Sequence, residues 1–475
     1  MDSLEAIDFI KICVLFFAYF VFAPLLGVVI KGRTKIQDWI FFVMCFMTIS
    51  GFLGPAEWGL TIDFHPTYRG TARGYHFYFN EALAGALIVA NFLESPRRFR
   101  WLPPGLIFYI ANICLSFVSI INAPHPEYVV MAAVKASEVI VIFVATYNYL
   151  QNTERVRWFL TTFCFVLFWE LIVCLKLKYV DHLYQVIGTF EHQNPLSMYA
   201  ILIGVVLLSA GVGPKQKRST LYLLGFCAAA WIVECTLSRG GLVAFAIGTL
   251  AVMGLGLLDK ITIRRLLVIA GLAAIVCVGI AASLQTIINR FNDTYNKDSS
   301  ETRRMLNIAS REMLRDYPLG GGWNNFGVLI NPPYPYGSLI DQYFKDHNEF
   351  KEVDTSKGIV ESHYYLLLSE TGYPGYISYL ILIAYFLYLN ARAALFFRNH
   401  FLGVISVGIG IGCSCNYLQS LLERVLTQPR NLMLWLILLA LTARIETWRK
   451  QAKAQRAKPR YAEPERIEVE TAEAA

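Results

Sequence analysis

Charge is scarce in this 475-residue chain: 16% of its residues are Asp, Glu, Lys or Arg, against 56% that are hydrophobic. Soluble domains carry about 25% charged residues, so a molecule bathed in water on every side is excluded. Base is missing from the start. Met1 to Asp8 holds three acids and no Lys or Arg, the reverse of a cleavable leader, and the first apolar run is expected to persist as a helix. Cysteine is missing outside the apolar blocks. All ten cysteines fall within such blocks, where a small buried hydrophobe is the ordinary role. Cys413 and Cys415 form a C-x-C pair, but no further Cys or His stands at ligand spacing, so no metal site is expected. An internal repeat is also lacking, which argues against a two-half transporter.

What is present is a succession of apolar blocks of the length that a bilayer requires, about 18 to 22 residues. They are read as spans at 9–30, 39–54, 77–93, 105–122, 129–149, 157–176, 195–211, 220–237, 241–258, 265–285, 364–390, 401–420 and 430–446. The expected fold is an all-α integral membrane bundle of about 12–13 transmembrane helices, with one long outer-face loop containing an amphipathic helix. The net charge of +7 would point to nucleic acid in a soluble chain. Here the bases gather on alternate connections: Lys31/Arg33/Lys35, Arg97/Arg98/Arg100, Arg155/Arg157, Lys215/Lys217/Arg218, Lys260/Arg264/Arg265 and Arg392/Arg398. That is the positive-inside pattern, so the charge reports topology and no nucleic acid partner is expected. Arg424 and Arg430 break the pattern.

Three stretches on the other side carry chemistry. T-L-S-R-G-G (236–241) puts Arg239 in a three-residue turn between two spans, where a planar guanidinium beside two glycines suits a phosphate. Lipid-headgroup snorkelling is the plain alternative. The segment 286–363 is too long for a simple connection. Within it Ser299–Arg315 has Met305, Ile308, Ala309 and Met313 at helical spacing, which predicts an amphipathic helix along the membrane face bearing Arg303, Arg304, Arg311 and Arg315. A turn follows, D-Y-P-L-G-G-G-W-N-N-F-G (316–327), which no G-K-S/T closes into a P-loop. At the re-entry point stands His363, a proton acceptor suited to neutral pH, with Glu370 inside the next apolar run.

Together G-T-F-E-H-Q-N-P-L-S-M-Y-A (188–200), T-L-S-R-G-G (236–241), R-R-M-L-N-I-A-S-R-E-M-L-R-D-Y-P-L-G-G-G (303–322) and H-Y-Y-L-L-L-S-E-T-G-Y-P-G (363–375) resemble the O-antigen ligase and polymerase superfamily of bacterial envelope proteins. The resemblance covers roughly 185 to 395, with R-G-T-A-R-G (69–74) a weaker echo upstream. It implies a GT-C-like membrane glycosyltransferase without metal or other cofactor. Its site would face the periplasm from the inner membrane. Its donor would be an undecaprenyl-diphosphate-linked glycan, and its acceptor a glycan or lipid A core. The family's diphosphate-binding arginines fall on Arg239 and, fifteen residues before Pro318, on Arg303, with Arg304 one position off. The family's histidine, which assists the acceptor hydroxyl, is assigned to His363. Ungapped alignment on Glu370 and Gly372 instead puts Glu361 at that place, and His347 heads the one H-N dipeptide of the segment, so both remain rivals.

Glu191, His192 and Asn194 open the seventh span and are candidates to line a sugar site, although capping explains Asn194 before Pro195 equally well. Glu138, Glu170 and Glu234 lie in apolar runs, where a partner or a cavity is expected; an ion pair between Glu234 and Arg239 is the plain expectation. P-P-Y-P-Y (332–336) is read as loop packing ahead of sugar stacking. The chain then divides into an N-terminal transmembrane region 1–185, helices with the S-R-G motif 186–285, a periplasmic loop 286–363, C-terminal helices 364–446 and a disordered cytoplasmic tail 447–475. A transporter or flippase of an anionic or lipid-linked substrate is the alternative from another class.

Overall fold

The computed structural model describes residues 3–49, 59–214, 216–259, 295–346 and 358–457, with isolated positions between 263 and 271. The expected span 265–285, the candidate His347 and residues 458–475 lie outside the described residues.

Nine helices among the described residues are long and apolar enough to cross a bilayer: Ile7–Ile30, Pro126–Tyr149, Thr153–Tyr179, Gln193–Val212, Ser219–Thr236, Arg239–Gly256, His363–Phe396, Phe401–Gln419 and Pro429–Arg456. Shorter apolar helices, Thr34–Phe46, Phe79–Glu94 and Leu106–Phe117, stand where spans 39–54, 77–93 and 105–122 are expected. The chain is an all-α polytopic membrane protein. Its one described sheet is the antiparallel pair Gly59–Ile62 and Tyr75–Tyr78.

Helix Gln193–Val212 forms the centre and is buried at every position from Pro195 onward, as its all-round apolar sequence requires. Its neighbours approach closely at small residues. A Cβ added to Gly204 would stand 2.7 Å from that of Ala229, and one on Gly412 would stand 2.8 Å from the Leu202 carbonyl. Such contacts hold membrane helices together where lipid is as apolar as their side chains. The first helix is peripheral and exposes Phe9, Phe16, Phe20 and Leu25, a surface suited to lipid tails.

The described basic connections gather at one end. Arg155 donates to Gln37 (2.8 Å), Arg100 N–H to Asn148 (3.0 Å), Arg218 to Glu154 (2.9 Å) and Arg444 to the Leu150 carbonyl (2.6 Å). The last helix continues past Glu446 to Ala457, so the first part of the tail expected to be disordered is helical. The reason is local: Gln, Lys, Ala and Arg are strong helix formers, and Glu446 and Arg449 pair at 2.6 Å one turn apart.

The long segment lies at the opposite end. Its helix runs Tyr295–Asp316. The buried face uses Met305, Leu306, Ala309 and Met313, packed on Phe326, Ile330, Val360 and Leu366. It therefore buries its apolar stripe in a satellite core of the segment itself, where a lipid-facing stripe is expected from sequence. Ile308 is left half-buried.

The helix His363–Phe396 is broken. Gly372 has φ +61° and ψ −164°, and Pro374 follows in the next turn. His363 and Tyr379 are sixteen residues apart, which in a straight helix at about 1.5 Å per residue means about 24 Å. Their ring centroids are 5.2 Å apart, so the stretch 363–371 folds back and the crossing helix begins after Gly372, later than the expected start at 364. The glycine-rich turn seals the break. Gly321 N–H donates to the Ser369 carbonyl (2.9 Å), Gly322 N–H to that of Glu370 (3.1 Å), and Tyr373 N–H to that of Pro318 (3.0 Å). The Glu370 carboxylate accepts from Phe326 N–H at 3.2 Å. Asn324, itself left-handed at φ +63°, accepts from Thr71 N–H (2.7 Å) and Ala72 N–H (3.1 Å) and donates to the Ala72 carbonyl (2.8 Å). These bonds clamp R-G-T-A-R-G onto the long segment.

Candidate functional site

The S-R-G turn is built by short-range bonds. Leu237 takes a left-handed conformation (φ +50°) to end one helix. Ser238 then caps the next, its hydroxyl accepting from Gly241 N–H at 3.2 Å. Arg239, exposed, is the first residue of that helix, where the positive end of the helix dipole reinforces its own charge toward an anion.

The Ser238 hydroxyl also donates to the side-chain oxygen of Asn194 at 2.8 Å, and Asn194 acts on the carboxylate of Glu423, favouring its charged form. Glu423 accepts from Arg303 at 3.2 Å. Arg303 in turn makes a close ion pair with Glu361. A polar chain of two bonded parts, Ser238–Asn194 beside Glu423–Arg303–Glu361, thus connects the S-R-G turn with the amphipathic helix and with the residue just ahead of the broken helix. Asn194 serves this chain, while the cap of helix Gln193–Val212 is His192, whose Nδ1 accepts from Asn194 N–H at 3.3 Å. Sequence reasoning gives that cap to Asn194. Its neighbour Glu191 is exposed and lines a small recess with Arg430.

Arg424 completes the cluster. It sits within the fields of Glu361, Glu370 and Glu423 and of Arg73. Burial lowers its pKa and the three carboxylates oppose that. Glu423 is pushed up to about 7, first by burial and then by the like charge of Glu361, with Arg303, Asn194 and Arg424 opposing. His192 is held below its ordinary value by burial, then by Arg424 and Arg303. The two sign-breaking arginines thereby acquire separate roles: Arg424 enters the cluster, and Arg430 is a buried strut that donates to the Thr189 carbonyl at 2.9 Å and lies over Phe190.

The remaining candidates separate by helix face. Arg304 points away and pairs with Glu301 at 2.8 Å on the exposed side. Arg311 stacks on Tyr365. Glu170 accepts twice from Thr189, at 2.8 Å each, and Glu234 pairs with Lys178 at 3.7 Å. Tyr336 donates to Asp316 at 2.5 Å, in keeping with loop packing for P-P-Y-P-Y. Of the rivals at the re-entry point, Glu361 reaches Arg303. His363 is buried and lines a cavity of about 90 Å³ beside the cluster. Sequence reasoning missed Glu423 altogether and marked Arg424, with Arg430, as an exception to the charge pattern that is either a topology error or functional.

Fold and site together define a polytopic helical membrane protein with a mixed-charge cluster at the end opposite its basic connections. Residues 224–380, a third of the chain, match the family model described as O-antigen ligase. The matched stretch contains the S-R-G turn, Arg303, the glycine-rich turn, Glu361 and the broken helix. It supports the ligase and polymerase family, and with it a membrane glycosyltransferase of the ligase type in general. No curated protein matches the chain.

Proposed function

We propose that this protein transfers or polymerises a glycan carried on undecaprenyl diphosphate, at the periplasmic face of the bacterial inner membrane, onto a glycan or lipid A core acceptor. The observation that carries the reading is the polar chain from Ser238 through Asn194 and Glu423 to Arg303 and Glu361. It ties Arg239, Arg303 and a carboxylate pair to one end of the bundle. The basic connections at the other end support, on the positive-inside rule, a periplasmic position for the cluster end.

Transfer from a glycosyl diphosphate needs the charge that builds on the departing diphosphate to be stabilised, and the acceptor hydroxyl to lose a proton. Arg239, exposed at the rim, and Arg303, half-buried, supply the first, and the partial burial of Arg303 strengthens its field. Metal is not required for this, since guanidinium forks pair with phosphate oxygens directly. Glu361 and Glu423 supply the second. Of the two, Glu423 is held near 7 by burial, the range in which a general base works best at neutral pH. Attack opposite the diphosphate inverts the anomeric carbon. His363, the proton acceptor expected from the sequence, is buried in the wall of the neighbouring cavity.

The test is Arg303→Ala in cells, with lipid-linked glycan followed on each membrane face. A transferase accumulates untransferred donor on the periplasmic face; donor trapped on the cytoplasmic face identifies a flippase. A product with retained anomeric configuration would overturn the mechanism.

A further inference from the structure

The cavity beside the cluster is bounded by helices Leu106–Phe117, Pro126–Tyr149, His363–Phe396 and Pro429–Ala457. Its walls include Tyr109, Trp323 and Trp435. Lys135 stands among the lining residues with its ammonium donating to the Thr71 carbonyl at 2.6 Å. Two lining residues each carry an enclosed polar atom with no hydrogen-bond partner among the described residues: Nδ1 of His363 and the hydroxyl of Tyr379, on side chains that are each 5% exposed. Buried polar atoms without partners are rare in folded proteins and call for an explanation. The break at Gly372 is what brings these two rings together.

Three chain segments serve both cavity and cluster, two residues apart each time. Thr71 lines the cavity and Arg73 acts on Arg424; His363 lines it and Glu361 holds Arg303; Leu426 lines it and Arg424 enters the cluster. A chamber with aromatic walls and a single lining cation, Lys135, therefore adjoins the charged site directly.

We propose that this cavity binds one neutral sugar ring of a glycan engaged by the site, its apolar face against the aromatic walls and a hydroxyl held between His363 Nδ1 and Tyr379 Oη. A hydroxyl both donates and accepts, which matches an imidazole nitrogen and a phenol at once. Aromatic faces beside convergent hydroxyl partners suit a ring with one apolar and one polar side. The volume takes the edge of a single ring. The inference rests on the glycosyltransferase reading, and the ring belongs either to the donor or to the acceptor.

The experiment uses the full chain in nanodiscs. Methyl glycosides of glucose, galactose and N-acetylglucosamine are titrated while tryptophan fluorescence is followed, for the wild type, Tyr379→Phe and Ala136→Leu. Ala136 is a lining residue, and its enlargement fills the cavity. At least one glycoside should bind the wild type, more weakly by about 2- to 10-fold in Tyr379→Phe, the loss of one neutral hydrogen bond, and not measurably in Ala136→Leu. Undecaprenyl diphosphate without sugar should bind all three proteins alike. In turnover assays Tyr379→Phe should raise KM for one substrate only, donor or acceptor, which assigns the ring. Absence of glycoside binding to the wild type, or equal binding to all three proteins, would overturn the proposal, as would equal capture of methylcyclohexane by wild type and Tyr379→Phe with glycosides excluded. If the wild type binds glycosides but transfers no glycan, the glycosyltransferase reading fails by itself. If it transfers glycan and neither variant changes binding or KM, the cavity proposal fails by itself.

Discussion

His363 and Tyr379 belong to one apolar run, sixteen residues apart, and their rings meet at 5.2 Å. That meeting depends on Gly372, whose positive φ lets the chain reverse. A side chain there is blocked twice: by the left-handed conformation and by the Gly320 nitrogen, which would lie 2.3 Å from the new Cβ. Gly372→Ala should therefore destabilise the protein, with strain alone costing about 1–3 kcal/mol and the displaced glycine-rich turn adding to it. The check is thermal unfolding in detergent beside activity in membranes. Gly254→Ala, at a position with open space around it, should leave both within error, and equal effects at the two glycines would refute this account of the break.

Arg303 and Arg304 are neighbours in sequence and differ in surroundings. Arg303 holds Glu361 and Glu423; Arg304 pairs with Glu301 on the exposed face. Arg303→Ala should lower kcat by about 10²–10³, the range seen when one stabiliser of developing negative charge is removed. Arg304→Ala removes only a surface ion pair, worth about 0–1 kcal/mol of stability, and should leave kcat within about twofold. Arg303→Lys keeps the charge and loses the planar fork, so it should fall between them. Equal losses at both positions would show that the general positive charge of the helix matters and the specific pair does not.

Asn324 ties the long segment to residues 71–72 through both ends of its amide. Asn324→Asp keeps the acceptor and loses the donor, and it adds a charge at a fully buried position. It should cost more stability than Asn324→Ala, for which each group left unpaired costs about 1–3 kcal/mol. Limited proteolysis of the segment 295–346 reads the effect, with faster cleavage in Asp than in Ala and both faster than wild type.

The helices were legible because apolar run length is a strong signal at bilayer scale. The strands Gly59–Ile62 and Tyr75–Tyr78, four residues each, were not; tetrapeptides such as G-L-T-I and Y-H-F-Y carry too little periodicity to separate strand from turn. Arg239 and Arg303 were singled out by motifs. The partners that join them were not, since Glu423 and Asn194 are 229 residues apart in sequence and meet only when helices Gln193–Val212 and Phe401–Gln419 pack. The direction of His363 was illegible for another reason: it depends on how far the chain turns at Gly372, which residue types announce but do not measure.

Glu423 offers a pH test with two opposite signs. Its carboxyl is raised from the ordinary 4.5 to about 7, chiefly by burial and then by Glu361. Between those values the unfolded chain has released the proton that the folded protein still holds, so the contribution of Glu423 to stability is full below about 4.5 and declines as pH rises to about 7. Activity runs the other way, because a base must be unprotonated, and it should climb through pH 7 to a plateau. Glu423→Gln, permanently neutral and able to keep the hydrogen bond from Arg303, should flatten the fall in melting temperature between pH 4.5 and 7. It should also abolish the rising limb of kcat, leaving activity reduced by about 10²–10⁴, the share ordinarily due to proton transfer. Glu361→Gln serves as comparison, since its removal takes away the like charge that lifts Glu423, and the limb of kcat should shift to lower pH. A rising limb that persists unchanged in Glu423→Gln would assign the titrating base to another group and leave Glu423 with the positioning of Arg303.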